Sequence, residues 1–447
     1  MIASSDVEAP KRVFFHTFGC QMNEVDTGSM RARLVNEGWT PVATADQADL
    51  ILVNTCSVRE LAVEKMHSAL GEYRRMKKER GGVIIGIAGC VAQERGAELL
   101  KKYPDVDLAF GPDGVPHVEK LIAQARAGVR VLDTDFLDLD HYPFATDLDP
   151  AHSGVTAYVT IQKGCDNRCT FCIVPTTRGA EASRSADEIV AEVRALVARG
   201  VRDVTLIGQN VNSYGLKRAG EVTFSRLLYR VAEVPGLARV RYTTSHPRDM
   251  GEDVVEAYRD LEKLASHLHL PVQSGSDRVL KRMKRYYTRD HYLKVIAAIR
   301  EVRPDLVLTT DIIVGFPGET DDDFEQTMTL VEDAGFVGAF SFKYSPRPGT
   351  PALKLKDDVP AEVASARLTR LQHRLREKSS GWYRGLEGQV VDVLVEGPSR
   401  HDVGVICGRT SGFAMVNFPG DVSLVGQRVR VAVTRGFTNS CRGEHVA

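Results

Sequence analysis

Between residues 154 and 378 one unit recurs: a short apolar run, a polar turn and a helical stretch. The runs are Ala157–Gln162, Asp203–Ile207, Val240–Thr244, His267–Pro271, Val307–Val314 and Ala339–Lys343. Strands that alternate with helices pair in parallel, and the helices cover the sheet. Six strands fall short of the eight of a closed barrel, so an open, partial barrel is expected. The best-marked helix runs from Ser185 to Arg199, with Ser185 as N-cap, Glu188 as its capping-box partner and Gly200 as the stop. The loops after the strands are rich in polar and turn residues: Gly208–Tyr214, Ser245-His246-Pro247, Val272–Ser276 and Gly315–Thr320. In barrels of this kind the active site is built from those loops.

The preceding segment, about 11–128, also alternates strands and helices. Arg12–Phe18, Leu50–Asn54 and Val83–Ala88 read as strands of a small open α/β sheet. A cysteine follows each: Cys20, Cys56 and Cys90. Open parallel sheets form their sites in the crevice at the carboxyl ends of strands, so three thiols delivered there can converge on a metal. A lone cysteine in such a core is otherwise a small buried hydrophobe. The stretch 131–153 reads as a linker, with Asp133, Asp135, Asp138, Asp140, Asp147 and Asp149 but no Lys or Arg, and with Pro143 and Pro150. From about 381 to 447, short β-type runs (Val390–Val395, Gly404–Cys407, Ala414–Asn417, Val429–Val433) indicate a small antiparallel barrel. Cys407 is expected in its core and Cys441 in the tail.

At 447 residues the chain has room for about three domains. With 43% hydrophobic and 26% charged residues, it has the balance of a soluble globular protein. No run of 18 apolar residues suggests a membrane helix, and Met1 to Pro10 lacks the regions of a signal peptide. A cytoplasmic location is expected, where grouped cysteines signal metal or redox sites over disulfides. The net charge of -1 is unevenly spread; the end from Ala361 carries 12 Lys and Arg against 8 Asp and Glu, compatible with a polyanionic partner or with an ordinary solvated surface.

The segment Lys163-Gly164-Cys165-Asp166-Asn167-Arg168-Cys169-Thr170-Phe171-Cys172 is a C-x3-C-x2-C loop directly after a strand. Four-iron clusters are usually held by four thiolates. Three close cysteines with no fourth nearby suggest a cube with one open iron, able to chelate a small molecule. A zinc site completed by a remote ligand is the alternative on spacing; a ferredoxin-like run wants a fourth cysteine that is absent.

This loop strongly resembles that of the radical S-adenosylmethionine (SAM) enzymes, and the whole chain resembles their methylthiotransferase branch. The match runs through Thr17–Asn23, Asn54–Arg59, Gly89-Cys90, the Cys165 loop, Arg178-Gly179, Ser245-His246-Pro247, Leu270–Ser276, Gly315–Glu319 and Ser345–Thr350. Gly-Cys-Gln-Met-Asn followed by Asn-Thr-Cys-Ser-Val-Arg is most similar to the MiaB-type members, which act on isopentenyl-adenosine beside the tRNA anticodon. The resemblance implies two four-iron clusters, on Cys165, Cys169 and Cys172 and on Cys20, Cys56 and Cys90, the second donating sulfur. It implies SAM both as radical source and as methyl donor, with Gln209, Asn210, Gln273 and Ser274 as candidate contacts. It further implies a C-terminal TRAM domain for RNA, a tRNA partner, and an electron donor such as flavodoxin or ferredoxin. Carbon 2 of adenine bears an unactivated C–H bond that acid–base side chains cannot break, so a cofactor must carry the step. Arg384, Arg409, Phe413 and Phe418 are candidate RNA contacts. The competing readings are the same chemistry on another substrate (a ribosomal-protein aspartate or threonylcarbamoyl-adenosine) and a non-enzymatic RNA-binding iron–sulfur sensor.

Overall fold

The computed structural model describes residues 11–139, 142–145, 147–356, 359–400 and 402–446; Met1–Pro10 and Asp140 lie outside the described residues. The chain packs as two compact units. One comprises the residues up to His152 together with Val174–Ala182, and the other Ser153–Ile173 with Ser183–Ala447.

The first unit is built on six parallel strands: β1 Arg12–Phe18, β2 Thr40–Pro41, β3 Leu50–Thr55, β4 Ile84–Ala88, β5 Leu108–Phe110 and β6 Val131–Asp133. Their order is β2-β1-β3-β4-β5-β6. Side chains on a strand alternate between faces, and β3 shows why its run is wholly apolar. Leu50 and Leu52 enter the core beneath α1 (Gln21–Asn36) and α4 (Val118–Arg126). Ile51 and Val53 enter the core under α2 (Glu60–Arg80) and α3 (Cys90–Lys102). Strand β6 corrects the linker reading. Val131–Asp133 pairs in parallel with β5, the Gln93 amide donates to the Thr134 carbonyl at 2.6 Å, and Asp113 accepts from the Leu137 N–H at 2.9 Å. A three-residue edge strand carries too little periodicity to stand out in an aspartate-rich stretch.

In the second unit β7 (Thr156–Thr160), β10 (Asp203–Ile207) and β11 (Arg239–Tyr242) form one parallel sheet. Strands β12 (His267–His269), β13 (Val307–Val314) and β14 (Gly338–Lys343) form another. The two-residue strands β8 (Gln162–Lys163) and β9 (Ala182–Ser183) flank the cysteine loop in sequence. Helix α6 (Ala186–Ala198) begins where Ser185 places it, but the capping bond expected from Ser185 is absent. The Ala186 N–H donates instead to the Glu221 carboxylate at 3.3 Å.

The terminal barrel is closed by five strands, β15 (Val390–Pro398), β16 (Val405–Arg409), β17 (Met415–Pro419), β18 (Arg428–Gly436) and β19 (Cys441–Val446). It is not wholly antiparallel, since β17 and β19 run parallel. The two isolated cysteines exchange the roles expected of them. Cys441 opens β19 with its side chain buried in the barrel core, whereas Cys407 is half-buried. Strand parity decides this: Ile406 and Gly408 face inward, so Cys407 between them faces out.

Candidate metal centres and their surroundings

Cys20 follows β1, Cys56 follows β3, and Cys90 opens α3 after β4. These strands are neighbours in the sheet, so their thiols arrive at one carboxyl edge. Two glycines let the backbone close in. Gly89 sits at φ +90°, and a Cβ there would lie 2.3 Å from Asn54 Oδ1. At Gly19 a Cβ would lie 2.8 Å from the Cys56 Cβ. Beneath them Asn23 and Asn54 interlock: Asn23 Nδ2 donates to Asn54 Oδ1 at 3.1 Å. Asn54 Nδ2 returns a bond to the Asn23 carbonyl at 2.9 Å and reaches Thr27 Oγ1 at 3.0 Å.

The thiols interact electrically. A hydrogen bond from Cys56 holds the Cys20 thiol below its ordinary value against its burial, with the Arg178 charge assisting. Cys56 is raised by that same bond and by burial. Burial also raises Cys90, opposed by Arg178. Arg178 is buried and bonded to Asp26 at 2.6 Å, so its charge is already matched by a carboxylate.

In the second unit the Cys165 loop leaves Gly164 at φ +73°, and the Gly164 N–H donates to the Gln209 side-chain carbonyl. Cys165 and Cys169 are buried and Cys172 half-buried. Thr170 clamps the loop from both sides. Its N–H donates to the Met283 carbonyl at 3.0 Å and its hydroxyl to the Arg282 carbonyl at 3.0 Å. Its own carbonyl accepts from the Ala352 N–H at 2.8 Å. Two residues beyond Met283, Arg285 Nη1 donates to Cys169 Sγ at 3.3 Å and Nη2 to the Pro271 carbonyl at 2.8 Å. Lys284 and Tyr286 on either side of it both take positive φ, 55° and 57°. That left-handed conformation costs a non-glycine residue on the order of 1 kcal/mol or more and persists where surroundings impose it.

The carboxyl ends of β7, β8, β10 and β11 gather buried polar atoms without partners: Thr160 Oγ1, Gln162 Oε1 and Nε2, Gln209 Nε2, Asn210 Oδ1, Ser245 Oγ and His246 Nε2. Buried polar groups are normally satisfied, and a polar ligand at this face answers them. His246 is held at about 2 by its burial and by Arg285 and Arg248. It is therefore neutral, and its Nδ1 accepts from the Arg248 N–H at 3.2 Å, which leaves Nε2 as the donor.

The four residues expected to contact SAM divide. Gln209 and Asn210 each carry one of the unpartnered amide atoms, although Asn210 Nδ2 is bound to Asp249 at 2.8 Å. Gln273, at φ +73°, prolongs the ladder, donating to Asp311 O at 2.8 Å and accepting from the Ile313 N–H at 2.9 Å. The Ser274 hydroxyl accepts from the Ser276 N–H at 3.2 Å. Among the described residues no three His, Cys, Asp or Glu side chains converge on the position of one metal ion. A four-iron cube is larger and takes thiolates at its corners, and soft thiolates are the ligands such clusters select. Sequence reasoning named neither Arg285, Arg178, Asn23 nor His246 as site residues; Arg178, Asn23 and His246 stood within motifs of the resemblance, and Arg285 stood in none. Of the candidate RNA contacts, Phe418 is a core residue of the barrel, which removes it. Phe413 is partly exposed and stacks on His267 at 4.9 Å, with Arg409 over its ring at 4.8 Å, and Arg384 is exposed.

The fold and the site together define a class. Residues 159–331 match the radical SAM superfamily, 12–111 the uncharacterized protein family UPF0004, and 384–446 the TRAM domain. The radical SAM methyltransferase TsrM from Kitasatospora setae, solved with cobalamin and a [4Fe-4S] cluster bound, shares the fold at a TM-score of 0.58 and 14% identity, over 77% of this chain and 74% of that one. The cobalamin-dependent SAM radical enzyme OxsB gives 0.51 at 12% identity, over 83% and 62%. Sequence relatives are much nearer. The tRNA-2-methylthio-N(6)-dimethylallyladenosine synthase of Thiobacillus denitrificans is 48% identical over 98% of both chains. That of Myxococcus xanthus is 49% identical over 98% of this chain and 94% of its own. This chain belongs to the radical SAM methylthiotransferases. Within them it is a member of the tRNA-2-methylthio-N(6)-dimethylallyladenosine synthase family.

Proposed function

We propose that this enzyme methylthiolates carbon 2 of dimethylallyl-adenosine beside the anticodon of tRNA, with SAM as radical source and methyl donor. Cys165, Cys169 and Cys172 hold one four-iron cluster, and Cys20, Cys56 and Cys90 hold a second. The observation that carries this reading is the pairing of two separate three-thiol sets, each at a carboxyl edge of parallel strands, each with no fourth cysteine beside it among the described residues and each backed by a buried guanidinium. When bound, the clusters and SAM supply the one-electron chemistry and the sulfur that no side chain here can provide.

The chain's own residues do the rest. Gln209 and Thr170 fix the path of the Cys165 loop from its two ends. Gln209 Nε2, Asn210 Oδ1, Ser245 Oγ and His246 Nε2 present two donors, an acceptor and a hydroxyl to a zwitterionic, nucleoside-bearing ligand. Asn23 and Asn54 hold the carboxyl ends of β1 and β3 in register beneath the other thiols. The segment 11–128 then serves as the sulfur-donating domain, 154–378 as the SAM-cleaving domain and 381–447 as the RNA-holding domain. An electron donor of the flavodoxin or ferredoxin class and a cytoplasmic location complete the proposal. Among the described residues no helix is long and apolar enough to cross a membrane.

Anaerobic iron and sulfide quantification on the reconstituted wild type and a Cys165, Cys169, Cys172 triple-Ala variant tests the ligand sets. About eight irons falling to about four is expected of two four-iron clusters; about four, all lost in the variant, removes the second cluster. Dithionite reduction with SAM should yield 5′-deoxyadenosine, and its absence would leave only a redox sensor.

A further inference from the structure

Six arginines are buried among the described residues: Arg178, Arg184, Arg239, Arg241, Arg285 and Arg367. Five have a carboxylate. Arg178 is paired with Asp26, Arg184 with Glu192, Arg239 and Arg241 with Asp203, and Arg367 with Glu319. The described partners of Arg285 are the Tyr287 hydroxyl at 3.2 Å, the Pro271 carbonyl at 2.8 Å and Cys169 Sγ at 3.3 Å. The first two are neutral acceptors. A buried charge is tolerated when something of opposite sign answers it; the carbonyl carries no charge and the Tyr287 proton is engaged with Val272, which leaves the sulfur of Cys169 as the group of the three to supply an anion. Tyr287 is itself committed, donating to the Val272 carbonyl at 2.7 Å, so it presents a lone pair to the guanidinium and aims it. The two left-handed residues around Arg285 hold the backbone in the turn that brings the side chain inward.

We infer that Arg285 is the built-in counter-cation of the central cluster: its Nη1–H hydrogen-bonds the Cys169 sulfur, offsets the cluster's negative charge and makes its one-electron reduction easier. The inference rests on the reading that Cys165, Cys169 and Cys172 hold a four-iron cluster. Net charge and hydrogen bonds to sulfur are the levers on cluster potential, and groups just behind the ligands tune metal sites as a rule. The electron comes from the external donor; Arg285 keeps its proton throughout and touches the reacting centre only through Cys169. It is a positioning residue, and its signature is a potential.

The test is a redox titration followed by electron paramagnetic resonance on the full chain, with Cys20, Cys56 and Cys90 changed to Ala so that one cluster reports. Arg285→Gln should make reduction at least tenfold less favourable, a fall of about 59 mV for one electron, with iron content retained. Arg285→Lys, which keeps the charge, should recover more than half of that shift. An unchanged potential in an iron-replete Arg285→Gln chain overturns the inference. So does equal loss of iron from both variants, which would make the residue a shaper of the loop. Absence of iron from the parent chain would instead remove the cluster reading, and this inference with it.

Discussion

Two sets of three thiols in one chain are built in opposite ways. Cys20, Cys56 and Cys90 come from three separate strands and meet only when β1, β3 and β4 align. Cys165, Cys169 and Cys172 share one short loop, held by Thr170 and Gln209. The first set is a product of tertiary folding, the second of local backbone. Their charges differ too, since the guanidinium behind the first is matched by Asp26 and the one behind the second by no carboxylate among the described residues. The lesson is that a sheet edge places ligands through packing and carries its charge balance within the core, whereas a loop needs an added cation to do the same.

Backbone changes should separate the two sets most sharply. Gly89→Ala forces a Cβ to within 2.3 Å of Asn54 Oδ1 at a φ of +90°, where an L-residue is strained regardless of space. Iron should fall from about eight to about four per chain while 5′-deoxyadenosine formation from SAM continues. Retention of all the iron would mean that the sheet edge is more forgiving than its packing indicates.

Acid should act on the central site. The folded pKa of His246, about 2, lies below its ordinary ~6.5. The unfolded chain therefore takes up the extra proton below pH ~6.5, and stability falls as pH falls. At pH 5 the loss is about 2 kcal/mol relative to pH 8, measurable by urea unfolding. His246→Asn should remove that part of the slope.

Changing Asp26 to Asn tests the charge balance. With its carboxylate gone, the Arg178 charge is left unmatched beside Cys90, and the N-terminal cluster should become about tenfold easier to reduce, or ~59 mV. The shift is opposite in sign to that of Arg285→Gln, and a redox titration of a chain lacking the central cysteines reads it. Equal signs would dissolve the contrast. The smallest effect concerns thiols in neither set. Cys441→Ser places a hydroxyl in the barrel core and should cost about 1–2 kcal/mol; Cys407→Ser, on the outer face, should stay within about 0.5 kcal/mol.

The same contrast explains what could be read from residues alone. Strands β1, β10 and β13 have the bounds their apolar runs indicate, because runs of 7, 5 and 8 residues carry enough apolar pattern to stand out. Strands β5, β6 and β19 were not legible. The first two are three residues long, and β19 (Cys-Arg-Gly-Glu-His-Val) is half polar, so each is a strand only because a neighbour offers it a ladder. The cysteine spacing marked one set of thiols and the strand ends marked the other, and the structure places Cys20, Cys56 and Cys90 just past β1, β3 and β4 as that layout indicates. Arg285 lies 116 positions from Cys169, and no local pattern links a lone arginine to a distant thiol. Gln273 and Ser274 show what a polar loop does not reveal in sequence: the Gln273 main chain extends the β13 ladder, and the Ser274 hydroxyl accepts from the Ser276 N–H.

The joint between the central strands and the terminal barrel has a consequence for how this protein can change. Arg239 donates to the Arg409 carbonyl at 3.1 Å, and Arg241 to those of Ser411 and Thr410 at 3.2 and 2.9 Å. These bonds end on main-chain oxygens, which are the same whatever side chain the residue carries. The barrel is thus gripped in part by its course, with the Ser411 hydroxyl and the Phe413 ring adding side-chain contacts to the Ser266 N–H and to His267. Replacing the side chain at 409, 410 or 411 leaves the three main-chain bonds in place, so the attachment of the barrel depends on the course of the chain between β16 and β17 as much as on the residues along it.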